Sequence, residues 1–193
     1  MLFRSGITSG NEYAWVIDPL DGTANFAHGI PYFCVTIALT RHQEPLLALT
    51  YQPLTKELFV AERGRGAFLN GQRMTVSETK SLDKAYVAAC SCSGTEWVMR
   101  GYSRLMAHGV SVRSFGASAL DIAYCADGRL DGCFFQGTCW WDIAAGLLLL
   151  QEAGGQVSTL YGQVPSPDDS SFVGGNELIF TELYQFLQKS KEV

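Results

Sequence analysis

Apolar residues change their rhythm halfway along the chain. In the first half they fall in short β-rich runs. Ala14-Trp15-Val16-Ile17 is one such run, and it stops at Asp18-Pro19-Leu20-Asp21-Gly22, the pattern of a buried strand feeding a loop. Phe33 to Leu39 and Leu46 to Tyr51 follow, parted by Arg41-His42-Gln43-Glu44-Pro45, and Glu57 to Glu62 adds another. Ala67-Phe68-Leu69 ahead of Asn70-Gly71 signals a hairpin with a type I′ turn, so neighbouring antiparallel strands are predicted. The Gly-, Ser- and Thr-rich residues before Ala14 read as a loop.

From Ala85 onward strands and helices alternate. A strand-like Ala85 to Ala89 precedes a helix from Thr95 to Ala107, and Val110 to Arg113 leads into a helix from Ser118 to Ala126. Asp131 to Phe135 is a strand candidate, and Trp141 to Ala153 a helix closed by Gly154-Gly155. Between Ile143 and Leu150 that helix carries no polar side chain, which predicts burial all round. A last helix takes Asn176 as its N-cap and turns Ile179, Leu183, Phe186 and Leu187 to one side. Mixed α and β layers in a single domain, residues 1–193, follow.

Composition narrows the function classes. With 47% hydrophobic and 17% charged residues the chain can fill a core, which excludes disorder. A net charge of −5 lacks the footprint of a nucleic-acid or anionic-membrane binder. The longest apolar stretch, around Ile143 to Leu150, is too short to span a bilayer. Six scattered cysteines, Cys34, Cys90, Cys92, Cys125, Cys133 and Cys139, read as buried reduced thiols, not as staples or a zinc site. With no signal peptide after Met1, the expected setting is cytoplasmic.

The candidate chemistry lies at Asp18 and Asp21. Held close across Pro19 and Leu20, two carboxylates repel each other unless a cation sits between them, and magnesium is the natural oxygen-seeking partner. The Leu20 carbonyl is a further oxygen, and Gly22 and Thr23 offer backbone N–H groups to phosphate. Asp142, at the start of the buried helix, is a third acid in a place that favours negative charge. Each has a bland alternative: an Asp-Pro turn for the first two, a helix cap for the third.

Taken together, these segments resemble the inositol monophosphatase family. Trp15-Val16-Ile17-Asp18-Pro19-Leu20-Asp21-Gly22-Thr23-Ala24-Asn25-Phe26 looks like its first signature. Trp141-Asp142-Ile143-Ala144-Ala145-Gly146 through Glu152-Ala153-Gly154-Gly155 looks like its second. Gly64 to Gly71 is similar to a family hairpin, and Arg113 to Ala119 to the segment that lines the substrate pocket. The resemblance implies a layered αβαβα sandwich of the sugar-phosphatase type, α+β in class, and magnesium-dependent hydrolysis of small phosphate monoesters by a homodimer. By that likeness Asp18, the Leu20 carbonyl, Asp21 and Asp142 hold metal. Gly22 and Thr23 hold phosphate, Thr23 orients the attacking water, and Gly116, Ala117 and Ser118 line the pocket with Asp142.

Two departures stand out. The family's metal-ligating Glu-Glu pair, on an N-terminal helical portion before the first signature, has no counterpart here. If Ser5-Gly6 aligns with the Ser-Gly that follows that pair, Phe3 and Arg4 stand in its place. The expectation is a family domain lacking its N-terminal helices, with one sheet face uncovered and one metal site weakened. A catalytically impaired homologue serving as a binding or oligomerisation module is the rival reading. The second departure is Phe135, where inositol-specific members carry a glutamate for sugar hydroxyls. Nucleotide 3′-phosphates, histidinol phosphate and fructose bisphosphate therefore stay open as substrates beside inositol 1-phosphate.

Overall fold

Strand alternation in the first half produces one sheet and sorts its side chains by size. The computed structural model describes residues 12–91 and 96–190. In it, β1 (Tyr13–Asp21), β2 (Cys34–Arg41), β3 (Glu44–Gln52), β4 (Glu57–Glu62), β5 (Gly66–Leu69) and β6 (Gln72–Arg73) form an antiparallel meander in chain order. A short helix, α1 (Thr23–Ala27), interrupts it after β1. Asn70 and Gly71 turn the last hairpin with positive φ, as the Asn-Gly signal predicts.

Register places Val16 beside Ala38, Ala38 beside Ala48, Ala48 beside Ala61 and Ala61 beside Ala67. This row is buried, and its alanines leave room for a helix to lie close. One residue along, Ile17, Ile37, Leu49, Val60 and Phe68 form a matching row on the opposite face, none of them fully buried. Tyr13 and Trp15 extend it, with Trp15 59% exposed. A period of two thus gives this sheet one covered face and one apolar face that no described element covers.

The second half builds a mixed sheet from β7 (Tyr86–Ser91), β8 (Ser111–Arg113), β9 (Gly132–Gln136), β10 (Gln156–Ser158) and β11 (Ser171–Gly175), in the order β10-β11-β9-β7-β8. β7 runs parallel to β8 and β9; the other pairs are antiparallel. Helices α3 (Ser118–Ala126) and α4 (Trp140–Glu152) lie between the two sheets, while α2 (Glu96–Ala107) and α5 (Glu177–Lys189) cover the far side of the second. The layers run β, α, β, α, and the class is α+β. Because α4 is sandwiched, every residue from Ile143 to Leu150 is buried, which explains its unbroken apolar run. At Gly146 a Cβ would lie 2.9 Å from Ile122 Cβ, so α3 and α4 meet along a glycine.

One expectation is corrected. β1 does not end at Ile17: it continues through Pro19 to Asp21, with a register break between Asp18 and Asp21. The acid pair lies in a bulged strand end, which turns both carboxylates toward one place. Short strands β10 and β11 and helix α1 left no clear sequence signal, being too brief for a period to emerge. The predicted start of α2 at Thr95, and Cys92, fall outside the described residues.

Glu152 fastens the first sheet to the helix layer. From the end of α4 its carboxylate accepts from Gly64 N (2.7 Å) and Gly66 N (2.8 Å) in the β4–β5 hairpin. Hydrogen bonds to a charged acceptor contribute more than neutral ones. Glu152→Ala is predicted to lower stability by about 2 kcal/mol, read from urea denaturation midpoints. The bare sheet face predicts that the 193-residue chain binds the dye ANS while folded. Ile37→Lys with Leu49→Glu should cut that signal without loss of the far-UV circular dichroism spectrum.

Candidate active site

Three acids from two chain segments converge at the end of β1. Asp18 and Asp21 arrive on the bulged strand, and Asp142 on the first turn of α4. One carboxylate oxygen from each lies within 4.8 Å of the others. The local folding that delivers them is legible in the bonds. Leu20 N–H donates to Asp18 Oδ1 at 2.9 Å, an Asx-type closure that turns the chain across Pro19. Asp142 Oδ2 accepts from Cys139 N–H at 2.8 Å, so the acid is also a helix-capping group. Asp21 Oδ2 accepts from Ala119 N–H at 2.8 Å, in the first turn of α3. Two helix N-termini therefore serve two of the three acids.

Burial and crowding act together on these groups. Burial, with Asp142 and Asp18 nearby, pushes Asp21 up to about 8, against the opposing pull of the Ala119 N–H. Burial and the neighbouring Asp18 raise Asp142 to about 6. Burial beside Asp21 raises the Cys34 thiol, so it faces the site as a neutral group. Such a set of hard oxygen donors, costly to ionise together, fits a divalent cation of the magnesium type.

Beside the acids, the Thr23 hydroxyl donates to the Leu20 carbonyl at 2.9 Å. Gly22 adopts φ 84°, and a Cβ there would lie 2.9 Å from Tyr32 O and 3.1 Å from Ala117 Cβ. No other residue fits that position without strain. It also shows that the Gly22 turn packs directly on the Gly116 to Ser118 segment. Gly116 is exposed, whereas Ala117 and Ser118 are buried at the start of α3. The structure thus gathers Asp18, Leu20, Asp21, Gly22, Thr23, Ala117 and Asp142 at one place.

Phe135 is fully buried, its ring stacked on Phe172 with centroids 6.2 Å apart. It belongs to the core between the sheets and offers no hydrogen bond. His28 ends α1, His42 lies in the β2–β3 turn and His108 packs edge-on against Phe186, so the three histidines stay apart. Phe3 and Arg4 lie outside the described residues. Asn25, Tyr32 and Asp121, which no sequence motif singles out for a role, tie the site's segments together. A lone acid in the apolar run Ala119-Leu120-Asp121-Ile122-Ala123 was the available signal.

Fold and site together define an α+β enzyme with an acidic centre suited to a divalent cation. The chain belongs to the inositol monophosphatase family, whose model matches residues 4–192, and it is a phosphatase. It is 43% identical over 188 residues to an inositol-1-monophosphatase of Mesorhizobium japonicum, covering 93% of this chain and 69% of that one. It is 40% identical over 192 residues to the Nus factor SuhB of Pseudomonas aeruginosa, covering 96% and 71%. Among solved structures, an inositol monophosphatase of Thermotoga maritima superimposes with a TM-score of 0.88 at 34% identity, covering 97% of this chain and 73% of that one.

The acid cluster sets a pH dependence. A carboxyl whose pKa is higher folded than unfolded holds its proton more tightly in the folded chain. Its stabilising contribution is present at low pH. It is lost as pH rises through about 6 for Asp142 and about 8 for Asp21. Magnesium is therefore predicted to raise the melting temperature more at about pH 8 than at about pH 5, as thermal scans would read.

Proposed function

We propose that this chain hydrolyses a small phosphate monoester, inositol 1-phosphate or a related sugar or polyol phosphate, with magnesium at Asp18, Asp21, Asp142 and the Leu20 carbonyl. The observation that carries this reading is the meeting of those three carboxylates within 4.8 Å at the ends of two helices. Bound magnesium would supply the positive charge that draws a phosphate to an acidic site and acidifies water there.

The chain's own residues have definable tasks. Asp18 and Asp142 lie side by side and would hold the cation, and the Ala119 N–H leaves Asp21 one carboxylate oxygen that could join them. The Gly22 and Thr23 amides, at the opening of α1, hold the phosphate oxygens. Thr23 directs its hydroxyl proton to Leu20 O, so its oxygen is left as an acceptor. A water donating to that oxygen has a lone pair free to point at phosphorus. Gly116, Ala117 and Ser118 form the wall against which the organic part of the ester rests.

Phe135 is turned into the core and offers the ester no acceptor, which supports a substrate that relies little on a carboxylate for its hydroxyls. Nucleotide 3′-phosphates, histidinol phosphate and fructose bisphosphate are the alternatives. The likeness also supports homodimeric assembly. The free, buried thiols of Cys34, Cys125 and Cys133 support a cytoplasmic setting. No helix among the described residues is long and apolar enough to cross a membrane. In the domain reading, residues 1–193 form one unit, and the bare face of the first sheet is where the family's helical layer would lie.

Phosphate release from a panel of these esters tests the reading. Turnover should require magnesium, and Asp18→Asn should reduce it about a hundredfold or more, since changes to groups around metal ligands already cost about 10- to 100-fold. A folded chain that releases phosphate from none of them would support the impaired-homologue reading instead.

A further inference from the structure

Four contacts link Asn25, Tyr32, the Phe115 segment that leads into α3, and Asp121, and the one between Tyr32 and Asp121 reaches the helix itself. Asn25, in α1, donates its Nδ2 hydrogens to Tyr32 O at 2.8 Å and to Phe115 O at 2.7 Å. The Tyr32 ring stacks on Phe115, with centroids 5.1 Å apart and planes 28° from parallel. Beyond the ring, the Tyr32 hydroxyl donates to Asp121 Oδ1 at 2.6 Å. Asp121 is wholly buried, and its Oδ2 has no hydrogen-bond partner.

Stability alone is a poor account of that pair. A buried carboxyl with one oxygen unpaired is costly, and an apolar pair of similar shape would hold the same two segments at less cost. What the pair does provide is direction. A short bond between a rigid ring and a helical acid fixes distance and angle together, which apolar packing does less sharply. The helix so fixed is the one whose Ala119 N–H, two residues before Asp121, holds Asp21. The turn at the other end carries Gly22 against Ala117.

We propose that Tyr32 and Asp121 are positioning residues, a buried latch that sets how closely α3 approaches the Gly22 turn and so holds Asp21 where a divalent cation can use it. The latch rests on the metal-dependent phosphatase reading and adds to it two residues that touch neither cation nor ester. It acts through the Ala119–Asp21 bond. Its loss should therefore appear in cation affinity even when the fold is intact.

Calorimetric titration of the full 193-residue chain with magnesium, in the presence of inorganic phosphate, tests this beside thermal melting of the same samples. Tyr32→Phe keeps the stacked ring and removes the hydroxyl, and should weaken magnesium binding about tenfold while lowering the melting temperature. Tyr32→Phe combined with Asp121→Ala also removes the unpaired buried acid. It should recover part of the melting temperature but none of the affinity. Asp121→Asn keeps an acceptor for Tyr32 and should bind magnesium within about twofold of the parent. A double variant that binds magnesium as tightly as the parent overturns the latch and leaves the phosphatase reading standing. A parent that takes up no magnesium overturns that reading, and the latch with it. If the double variant does not fold, Tyr32→Phe decides alone: unchanged affinity in it also overturns the latch.

Discussion

Mutual repulsion among Asp18, Asp21 and Asp142 is the constraint around which this structure is arranged. Three carboxylates in so small a space cannot all ionise cheaply away from bulk water, and burial deepens the penalty. The fold bears that penalty by enclosing the cluster with donors. Ala119 N–H serves Asp21, Cys139 N–H serves Asp142 and Leu20 N–H serves Asp18. Each donor lies at a place where regular structure begins or breaks, where backbone N–H groups are otherwise short of partners. The same features that end strands and start helices therefore build the acidic centre.

Long-range packing keeps those ends in place. α4 carries Asp142 at its start and Glu152 at its end, so one buried helix joins the acid cluster to the β4–β5 hairpin. The alanine row lets the helix layer sit close to the first sheet, and Gly146 lets α4 sit close to α3 within that layer. Small side chains in that interior are thus a condition of the site. Asp18 rides on the first sheet and Asp142 on the helix beneath it, and a thicker core would part them.

Much of this was readable in the residues, for reasons that can be named. The alternation in β2 to β4, the Asn70-Gly71 turn and the Asn176 cap are local signals, decided by neighbours in sequence, and they hold. The unbroken apolar run of α4 foretold a helix buried on every side. The bulge at Asp18 to Asp21 was not legible, because a proline and two acids after an apolar run also describe a loop. Pairing with β2 decides between strand and loop, and pairing is not local. Of the site, the acids and the Gly22 turn were visible as a motif. Asn25, Tyr32 and Asp121 were not, since their partners lie about 90 residues away in the chain. Phe135 is visible in the sequence as a departure, but only its burial and its stacking on Phe172 show that it belongs to the core.

Burial and crowding lead Asp21 and Asp142 to hold protons in the free chain, and a cation that binds there displaces them. Titration with magnesium in two buffers of different ionisation enthalpy, near neutral pH, measures this directly. The binding heat should shift with the buffer in the direction of proton release, and the shift should disappear in Asp21→Asn. Magnesium uptake with the same heat in both buffers would contradict it.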